Sequence, residues 1–179
     1  MIIWLVTHGE KEDGPDPKMT IEGFKRVQSL RDQLNQRLPA TGPAQVHIGT
    51  GRRQFDVARA LDLKKGTPFF SALWGEGVTE IKIKGKSMIL LTDGRIIEFD
   101  QYLSPKHMRG AIREAIVNLP TQTVICSGRP VLVRLGMALK ECQSAALYAI
   151  HFELGRPDSI KIELVSAGID LGDGKGATV

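Results

Sequence analysis

The stretch IIWLVTHG, residues 2–9, decides the fold prediction. Its five leading apolar residues are typical of a strand that is buried on both faces, as in a parallel sheet covered by helices. Thr7, His8 and Gly9 follow at once and predict a tight turn at the carboxyl end of this strand. A titratable residue in that place is either a reactive group or a hydrogen-bonded histidine of the core, and both alternatives stay open for His8.

A strand, a turn and a helix follow one another again at residues 46–61. Val46–Ile48 predicts a short strand, and the glycine-rich turn 49–51 opens a helix with Phe55, Ala58 and Leu61 on one face. Arg52 and Arg53 occupy the first turn of this helix, where the helix dipole does not favour cations. The basic pair is therefore a candidate for ligand binding.

The pattern occurs a third time around residue 127. A buried strand ends at Cys126, Ser127-Gly128-Arg129 forms the turn, and Pro130 stands at the first position of an apolar helix. The carboxyl ends of parallel strands meet at one edge of a sheet, where helix N-termini attract anions. We therefore expect His8, Arg53 and Ser127 to surround one pocket.

The remaining segments predict two further helices and a small insertion. Thr20 caps a helix whose apolar residues recur at three- and four-residue steps (Ile21, Phe24, Val27, Leu30, Leu34 and Leu38), and Ser104 and Pro105 start another. Residues 78–100 alternate as a β-hairpin or a small meander with turns at Gly85 and Asp93-Gly94, and we expect Lys82, Lys84 and Lys86 on one solvated side of a strand. The prediction is a single domain, residues 1–179, of the α/β class: a three-layer α/β/α sandwich with a mostly parallel central sheet and a flexible tail from residue 168.

Composition narrows the classes of partner. The 179 residues carry a formal net charge of +4 with only 6% aromatic residues, which favours a small anionic ligand over nucleic acid. The apolar N-terminal run is too short to span a bilayer and lacks the features of a signal peptide, so we expect no membrane association and a cytoplasmic protein. Cys126 and Cys142 are the only cysteines, which fits a reducing compartment.

These motifs together resemble the histidine phosphatase superfamily, also called the phosphoglycerate mutase-like family. VTHGE stands where the family has Arg-His-Gly after its first strand, and MTIEG is similar to Leu-Thr-x-x-Gly at its next helix start. IGTGRRQFDVARAL resembles the family's Ser-Pro-x-x-Arg-x-x-x-Thr-Ala segment, and VICSGRPVLVRL adds a fourth match near residue 127. The resemblance implies a phosphoglycerate mutase-like fold.

In that family two arginines and two histidines surround a phosphoryl group, and the first histidine attacks phosphorus. The resemblance places His8 on this nucleophile and Arg53 on one arginine, whereas Thr7 replaces the signature arginine and Ser127 replaces the second histidine. Losing two charge-assisted partners weakens phosphate binding by about 3–6 kcal/mol, which slows chemistry by about two to four orders of magnitude. Arg129 and Arg52 are candidate replacements, and the Ser127 hydroxyl is a candidate donor to phosphate.

The resemblance also implies a carboxylic acid that protonates the leaving group. SALWGEGVTE is similar to the segment that supplies it, with Glu76 the first candidate and Glu80 the second, although a solvated loop glutamate explains Glu76 equally. Gly9 fits a close approach of the backbone to an anion or a simple turn. His47, His107 and His151 lack metal-ligand spacing, and we expect neither a metal nor a cofactor.

Two other phosphate chemistries fail on spacing. A cysteine phosphatase needs an arginine six positions after its cysteine, and Leu132 stands at that distance from Cys126. The C-terminal stretch GDGKGATV lacks the glycine spacing of a nucleotide-binding loop and is interpreted as a tail. Two functions remain: a degraded site that binds a phosphorylated or anionic ligand or a phosphoprotein with weak or no hydrolysis, and an active phosphomonoester or phosphohistidine phosphatase. A third possibility is that the chain shares with this family only the order of strand, turn and helix and is not related to it. The oligomeric state is open.

Overall fold

A computed structural model describes residues 1–14, 16–63, 68–75, 78–91, 96–98 and 105–169 of the chain. Its elements, in chain order, are β1 (Ile2–Thr7), α1 (Ile21–Gln28), α2 (Arg31–Asn35), β2 (Val46–Ile48), α3 (Arg52–Ala60), β3 (Pro68–Phe70), β4 (Val78–Ile83), β5 (Lys86–Leu91), β6 (Ile96–Glu98), α4 (Pro105–Val117), β7 (Val124–Ser127), α5 (Arg129–Leu135), β8 (Ala146–Glu153) and β9 (Arg156–Ala167). Short 3₁₀ turns lie at Ala72–Trp74 and Leu139–Glu141. None of the helices within these ranges is both long and apolar enough to cross a membrane.

The central sheet has the strand order β3-β2-β7-β1-β8-β9. The first four strands pair in parallel, and β8 runs antiparallel to both β1 and β9, so it alone points the other way in this sheet. The predicted α/β class with a mostly parallel sheet is confirmed. The sequence analysis predicts no strand in residues 143–167, and the structure has the β8–β9 hairpin there.

Strand β1 is buried on both faces because helices cover both sides of the sheet. Ile3 and Leu5 belong to one core cluster, which includes α4 and α5 residues, and Trp4 and Val6 belong to a second cluster with residues of α1, α2 and α3. The alternation of side chains along a strand sends neighbouring residues to opposite faces. This arrangement gives the three layers that the apolar run at residues 2–6 predicted.

The helix predicted from residue 21 onward is divided in two. Thr20 caps α1 as predicted, since its hydroxyl accepts a hydrogen bond from the Gly23 N–H at 3.0 Å. The helix is interrupted after Gln28, where the Ser29 hydroxyl donates to the Arg26 carbonyl at 2.7 Å and accepts from the Ile169 N–H at 3.1 Å. A serine hydroxyl that binds nearby backbone competes with regular helix bonding.

Strands β4, β5 and β6 form a separate three-stranded antiparallel sheet in the order β4-β5-β6. The turn between β4 and β5 lies at Lys84 and Gly85, which both have positive φ (49° and 79°). The prediction that Lys82, Lys84 and Lys86 share one strand face is therefore wrong, because Lys84 lies in the turn and Lys86 pairs with Ile83, the neighbour of Lys82. The predicted turn at Asp93-Gly94 and the predicted cap Ser104 lie outside the described residues, whereas α4 begins at Pro105 as predicted.

Three predicted placements are corrected by tertiary packing. Ile21 is 72% exposed, and Phe55 lies on the outer face of α3 with 42% of its surface exposed. The buried face of α3 instead carries Arg53, Gln54, Val57 and Ala60. Gly168, predicted to start the flexible tail, is buried, and its N–H donates to the Ala145 carbonyl at 2.6 Å.

Candidate functional site

The three strand-turn-helix units meet at the carboxyl edge of the sheet. The strands β2, β7 and β1 are adjacent and parallel, with Ile48 opposite Cys126 and Thr7 opposite Ser127. The turns after them are joined by backbone hydrogen bonds, from His8 N–H to the Ser127 carbonyl at 2.9 Å and from Gly49 N–H to the Cys126 carbonyl at 3.1 Å. Helix α3 packs on β7 and contacts β1 and β2.

His8 is the titratable side chain at the centre of this edge and is 8% exposed. Its Nδ1 atom lies 2.8 Å from the Gly9 carbonyl oxygen. A carbonyl oxygen can only accept a hydrogen bond, so this contact places a proton on Nδ1. In the neutral ring, Nε2 then carries the available lone pair. Nucleophilic or base chemistry at Nε2 needs a second group that fixes the ring in this way, and here the Gly9 carbonyl does so.

Arg53 stands in the first turn of α3 and is 7% exposed, on the face that packs against the sheet. A buried guanidinium at a helix N-terminus adds a fixed cation to the partial positive charge of the free N–H groups. This combination suits an oxyanion better than any other ligand class. Arg53 is thus a buried cation at the same sheet edge as His8.

Gln54 was not singled out from the sequence, yet it is fully buried beside Arg53. Within the described part of the chain, neither polar atom of its amide has a hydrogen-bond partner. Its side chain packs close to Gly49 and Gly51 in the turn before α3. A buried amide without partners is uncommon and favours a polar ligand or a water molecule in this turn. A glutamine at the third position of a predicted helix was the available signal.

The Thr7 hydroxyl is engaged inside the fold. It donates to the Gln143 carbonyl at 2.8 Å and accepts from the Ala146 N–H at 3.0 Å, and the side chain is fully buried. A hydroxyl has one hydrogen to donate. Thr7 therefore joins β1 to the segment before β8 and, in this arrangement, has no donor left for a phosphate oxygen.

The Ser127 hydroxyl is engaged in the same manner. It donates to the Trp74 backbone carbonyl, and Ser127 is fully buried. The Trp74–Gly75 backbone in turn packs on Gly49, where an added Cβ would lie 2.8 Å from the Trp74 carbonyl oxygen. The segment after β3 is thereby fastened across the ends of β2 and β7, and the Ser127 hydrogen is not available to a ligand here.

Gly9 is explained by helix packing. A Cβ at Gly9 would lie 2.5 Å from the Gly23 Cα in α1, and the Gly9 N–H donates to the Met19 sulfur at 3.1 Å. The close approach is therefore between two backbones of this chain. The role of Gly9 in binding an anion stays a prediction, and the packing supplies a sufficient reason for the glycine.

The two candidate replacement arginines, Arg52 and Arg129, are both exposed. The Arg52 N–H donates to an Asp16 carboxylate oxygen at 2.9 Å, and Arg52 lines a cavity of about 300 Å³ with residues 12–14 and 16–18. Asp16 thus occupies the N-terminus of α3 from 36 residues away, a contact that no local sequence signal indicates.

Arg129 begins α5, directly after the turn that follows β7. Burial raises the pKa values of Cys142 and Tyr148, and the positive charge of Arg129 offsets only part of each rise. Arg129 therefore lies near the segment that holds Thr7, since the Tyr148 hydroxyl accepts from the Gln143 N–H at 2.7 Å.

The predicted acid lies beyond what the structure describes. Glu76 is outside the described residues. For Glu80, the structure describes the backbone, which lies in β4. Across the described ranges, no three histidine, cysteine, aspartate or glutamate side chains lie together as metal ligands.

Comparison with solved structures shows what the fold resembles. The chain is similar to Rv3214 from Mycobacterium tuberculosis (TM-score 0.57, 16% identity, 94% of this chain and 97% of that one). It is also similar to the putative phosphohistidine phosphatase SixA from Nakamurella multipartitia (TM-score 0.56, 13% identity, 95% of this chain and 96% of that one). A third similar structure is mycobacterial glucosyl-3-phosphoglycerate phosphatase Rv2419c (TM-score 0.53, 13% identity, 93% of this chain and 98% of that one). No protein-family model matches the chain, and no curated protein matches it. These similarities show the fold, which is the predicted phosphoglycerate mutase-like one.

Proposed function

We propose that this chain binds a phosphorylated ligand at the carboxyl edge of its sheet and hydrolyses it weakly or not at all. The observation that carries the proposal is the pair of engaged hydroxyls. Thr7 and Ser127 stand where the superfamily has an arginine and a histidine, and both direct their hydrogens to carbonyls of this chain. Both residues are buried, so neither supplies the cation that its counterpart supplies.

The groups that remain suit binding better than turnover. His8 and Arg53 provide donors and positive charge, and the unpartnered Gln54 amide adds a polar group beside them, whereas the Asp16 carboxylate already accepts from the Arg52 N–H at the start of α3. Each missing charge-assisted hydrogen bond removes about 1.5–3 kcal/mol from the stabilisation of the phosphoryl oxygens. Arg52 and Arg129 are exposed, which keeps their compensation for these losses partial.

The His8 geometry favours a second candidate, an active phosphatase. With the proton on Nδ1, Nε2 attacks phosphorus, the N–P bond forms, and the ester P–O bond breaks as the leaving oxygen takes a proton from an acid such as Glu76. Water then attacks phosphorus and gives a proton to the carboxylate that the acid has become, the N–P bond breaks with its electron pair returning to Nε2, and phosphate leaves. The putative phosphohistidine phosphatase and the glucosyl-3-phosphoglycerate phosphatase among the similar structures support testing both a phosphohistidine peptide and phosphomonoesters.

Two measurements on the same protein separate the candidates. Calorimetric titration with inorganic phosphate and O-phosphoserine reports binding, and an acid-labile, base-stable phosphoryl label on the protein reports turnover through histidine. We expect binding that Arg53→Gln weakens at least tenfold, with Arg37→Gln, an exposed arginine at the end of α2, as the charge-matched control.

Phosphate release is measured on phosphomonoesters and on a phosphohistidine peptide. We expect release by the wild type to be close to that of His8→Ala, with His151→Ala as the control for an exposed histidine. Release that disappears only in His8→Ala would establish the phosphatase instead. Folded protein that binds no phosphate compound would contradict both candidates.

A further inference from the structure

We propose that the outer edge of β9 pairs with the same edge of a second copy of this chain, in an antiparallel dimer with two-fold symmetry. The pairing edge consists of residues 160–164, with the sequence IKIEL. In the part of the chain that the structure describes, β9 is the last strand of the central sheet, and no strand pairs with its outer side. The proposal concerns assembly and goes beyond the phosphate site proposed above.

The backbone groups at the centre of the pairing edge point away from β8. The Phe152 N–H of β8 donates to the Met1 carbonyl at 3.1 Å, so the backbone groups of Phe152 face β1. Successive residues of a strand face opposite sides, so His151 faces β9, where it pairs with Lys161. Lys161 therefore faces β8, and its neighbour Ile162 presents its N–H and carbonyl on the outer side. The residues two positions to either side of Ile162 do the same.

The two edges of the central sheet differ as templates for a further strand. Strand β3 has only three residues, and its Pro68 has no N–H to offer. Strand β9 has twelve residues, and its two ends are fastened to the fold. The Pro157 carbonyl accepts from Arg113 Nη2 at 2.7 Å, and beyond the other end the Gly168 N–H donates to the Ala145 carbonyl at 2.6 Å. The stretch between these contacts is the longer and better hydrogen-bonding edge.

The sequence of the pairing edge is complementary to itself around Ile162. With Ile162 opposite the same residue of the second copy, Ile160 lies opposite Leu164. Lys161 then lies opposite Glu163, and the two-fold axis makes each contact occur twice. Outward-facing residues meet outward-facing residues in this register, which gives about six backbone hydrogen bonds between the copies. Lys161 and Glu163 form the more closely spaced pairs of the ladder, where opposite charges stabilise pairing.

Charge selects this register among those that the backbone permits. A slip of two residues keeps outward-facing groups opposite each other, so the neighbouring registers centre on Lys161 and on Glu163. The first of these places Lys161 opposite Lys161, and the second places Glu163 opposite Glu163. Like charges directly opposite each other destabilise a strand pair. Of the three registers, the one centred on Ile162 alone brings opposite charges together.

The side chains of the pairing edge are available for this contact. The Glu163 carboxylate lies 3.5 Å from the His151 Nε2 atom, yet the Glu163 side chain keeps 69% of its surface exposed. A histidine is only partly charged near neutral pH, whereas a lysine carries a full charge, so Lys161 of the second copy is the stronger partner. On the other face of β9, Leu164 is 39% exposed, and Ile160 of the second copy covers it.

The dimer leaves both candidate functional sites open. Strand β9 runs parallel to β1, and the antiparallel pairing reverses the direction of the second copy. The carboxyl edges of the two sheets therefore face opposite ways. Five inter-strand steps separate the two β1 strands, which amounts to about 24 Å across one continuous sheet.

The test measures the oligomeric state of the full chain by sedimentation velocity over a wide range of protein concentration. We expect a dimer in the wild type. Lys161→Glu and Glu163→Lys each place like charges opposite each other at two positions, and each should weaken self-association about tenfold or more. The matched controls Lys140→Glu and Glu141→Lys change charge at exposed positions outside β9 and should leave the dimer intact.

Two further samples restore the opposite charges. The double variant Lys161→Glu/Glu163→Lys should dimerise as the wild type does. Equal amounts of the two single variants, mixed, should form a dimer that contains one chain of each, because every charged position then meets its opposite. Restored association in these samples also shows that the single variants are folded.

A wild type that stays monomeric at every concentration would overturn the proposal. A dimer that both single variants preserve, or that the double variant and the mixture fail to restore, would also overturn it, because association would then use another surface. Titration with inorganic phosphate separates this proposal from the proposed function. A charge-dependent dimer that binds no phosphate supports the β9 pairing while the phosphate site fails.

Discussion

The Ser127 hydroxyl donates a hydrogen bond to the backbone carbonyl of Trp74, 53 residues earlier in the chain. Both residues are buried, and the contact fastens the segment after β3 over the carboxyl ends of β2 and β7. A side chain at the carboxyl edge of the sheet thus serves the fold in this chain. The following predictions depend on this and related contacts.

Ser127→Ala should destabilise the protein and leave phosphate affinity within about twofold. The substitution removes the donor to a buried carbonyl, which costs about 1–3 kcal/mol in the free energy of unfolding. Urea unfolding measures the first quantity, and calorimetric titration with inorganic phosphate measures the second. A large loss of phosphate affinity at unchanged stability would mean that the hydroxyl serves the ligand instead.

Thr7→Val should also destabilise the fold, because the Gln143 carbonyl and the Ala146 N–H both lose their partner. Valine keeps the shape of threonine without its hydroxyl, and we expect a loss of about 2–4 kcal/mol for the two unpaired groups. Thr7→Ser keeps the hydroxyl and serves as the matched control in the same denaturation experiment. Similar stabilities for the valine and serine variants would contradict this role.

Gly9→Ala should unfold the protein or cost it more than about 3 kcal/mol, since the new methyl group meets the backbone of α1 rather than a movable side chain. Its Cβ would lie 2.7 Å from the Gly23 carbonyl carbon. The matched control is Gly110→Ala in α4, where nothing lies within 4 Å of the added Cβ. This control should raise stability by up to about 1 kcal/mol, as alanine does in helices. Thermal unfolding followed by circular dichroism distinguishes the two variants.

His47 should make stability depend on pH in the acidic range. Burial lowers its pKa from the usual value of 6.5, and its Nδ1 accepts a hydrogen bond from the Trp74 indole N–H at 3.1 Å. The unfolded chain therefore binds a proton more readily than the folded chain, so this contribution to stability is present above pH 6.5 and is lost as pH falls through the lower, folded-state pKa. Proton uptake at Nδ1 also breaks the bond from Trp74.

The measurement is urea unfolding at several pH values between about 7.5 and 5. His47→Gln should flatten the decline of stability below pH 6.5 relative to the wild type. His151→Gln is the matched control, because His151 is exposed on β8, and it should preserve that decline. An identical pH dependence in the wild type and His47→Gln would refute this assignment.

Short-range sequence patterns were sufficient to predict the architecture of the fold. The apolar run at residues 2–6, followed by a turn and an amphipathic helix, is a short-range signal, and it predicted a buried strand in a mostly parallel sheet. Thr20 and Pro105 marked helix starts correctly, because caps act on backbone groups within one turn. The order of three such units was also enough to expect the turns at His8, Gly49 and Ser127 at one edge.

Placement that depends on distant residues was not predictable in this way. Phe55 has the spacing of an inward residue, yet it stacks on Phe70 from the edge strand and faces solvent. The break between α1 and α2 involves Ile169, whose N–H reaches Ser29 from 140 residues away. Neither partner can be read from the sequence around Phe55 or Ser29.

By itself, the sequence determined the class of fold and the identity of the residues at the strand ends, a threonine at position 7 and a serine at position 127. Tertiary structure alone decided what the hydroxyls at those positions do. A hydroxyl has one hydrogen, and its direction depends on which acceptor the fold brings near: the Gln143 carbonyl for Thr7 and the Trp74 carbonyl for Ser127. Those acceptors lie 136 and 53 residues away along the chain, and they become neighbours only when the sheet has formed.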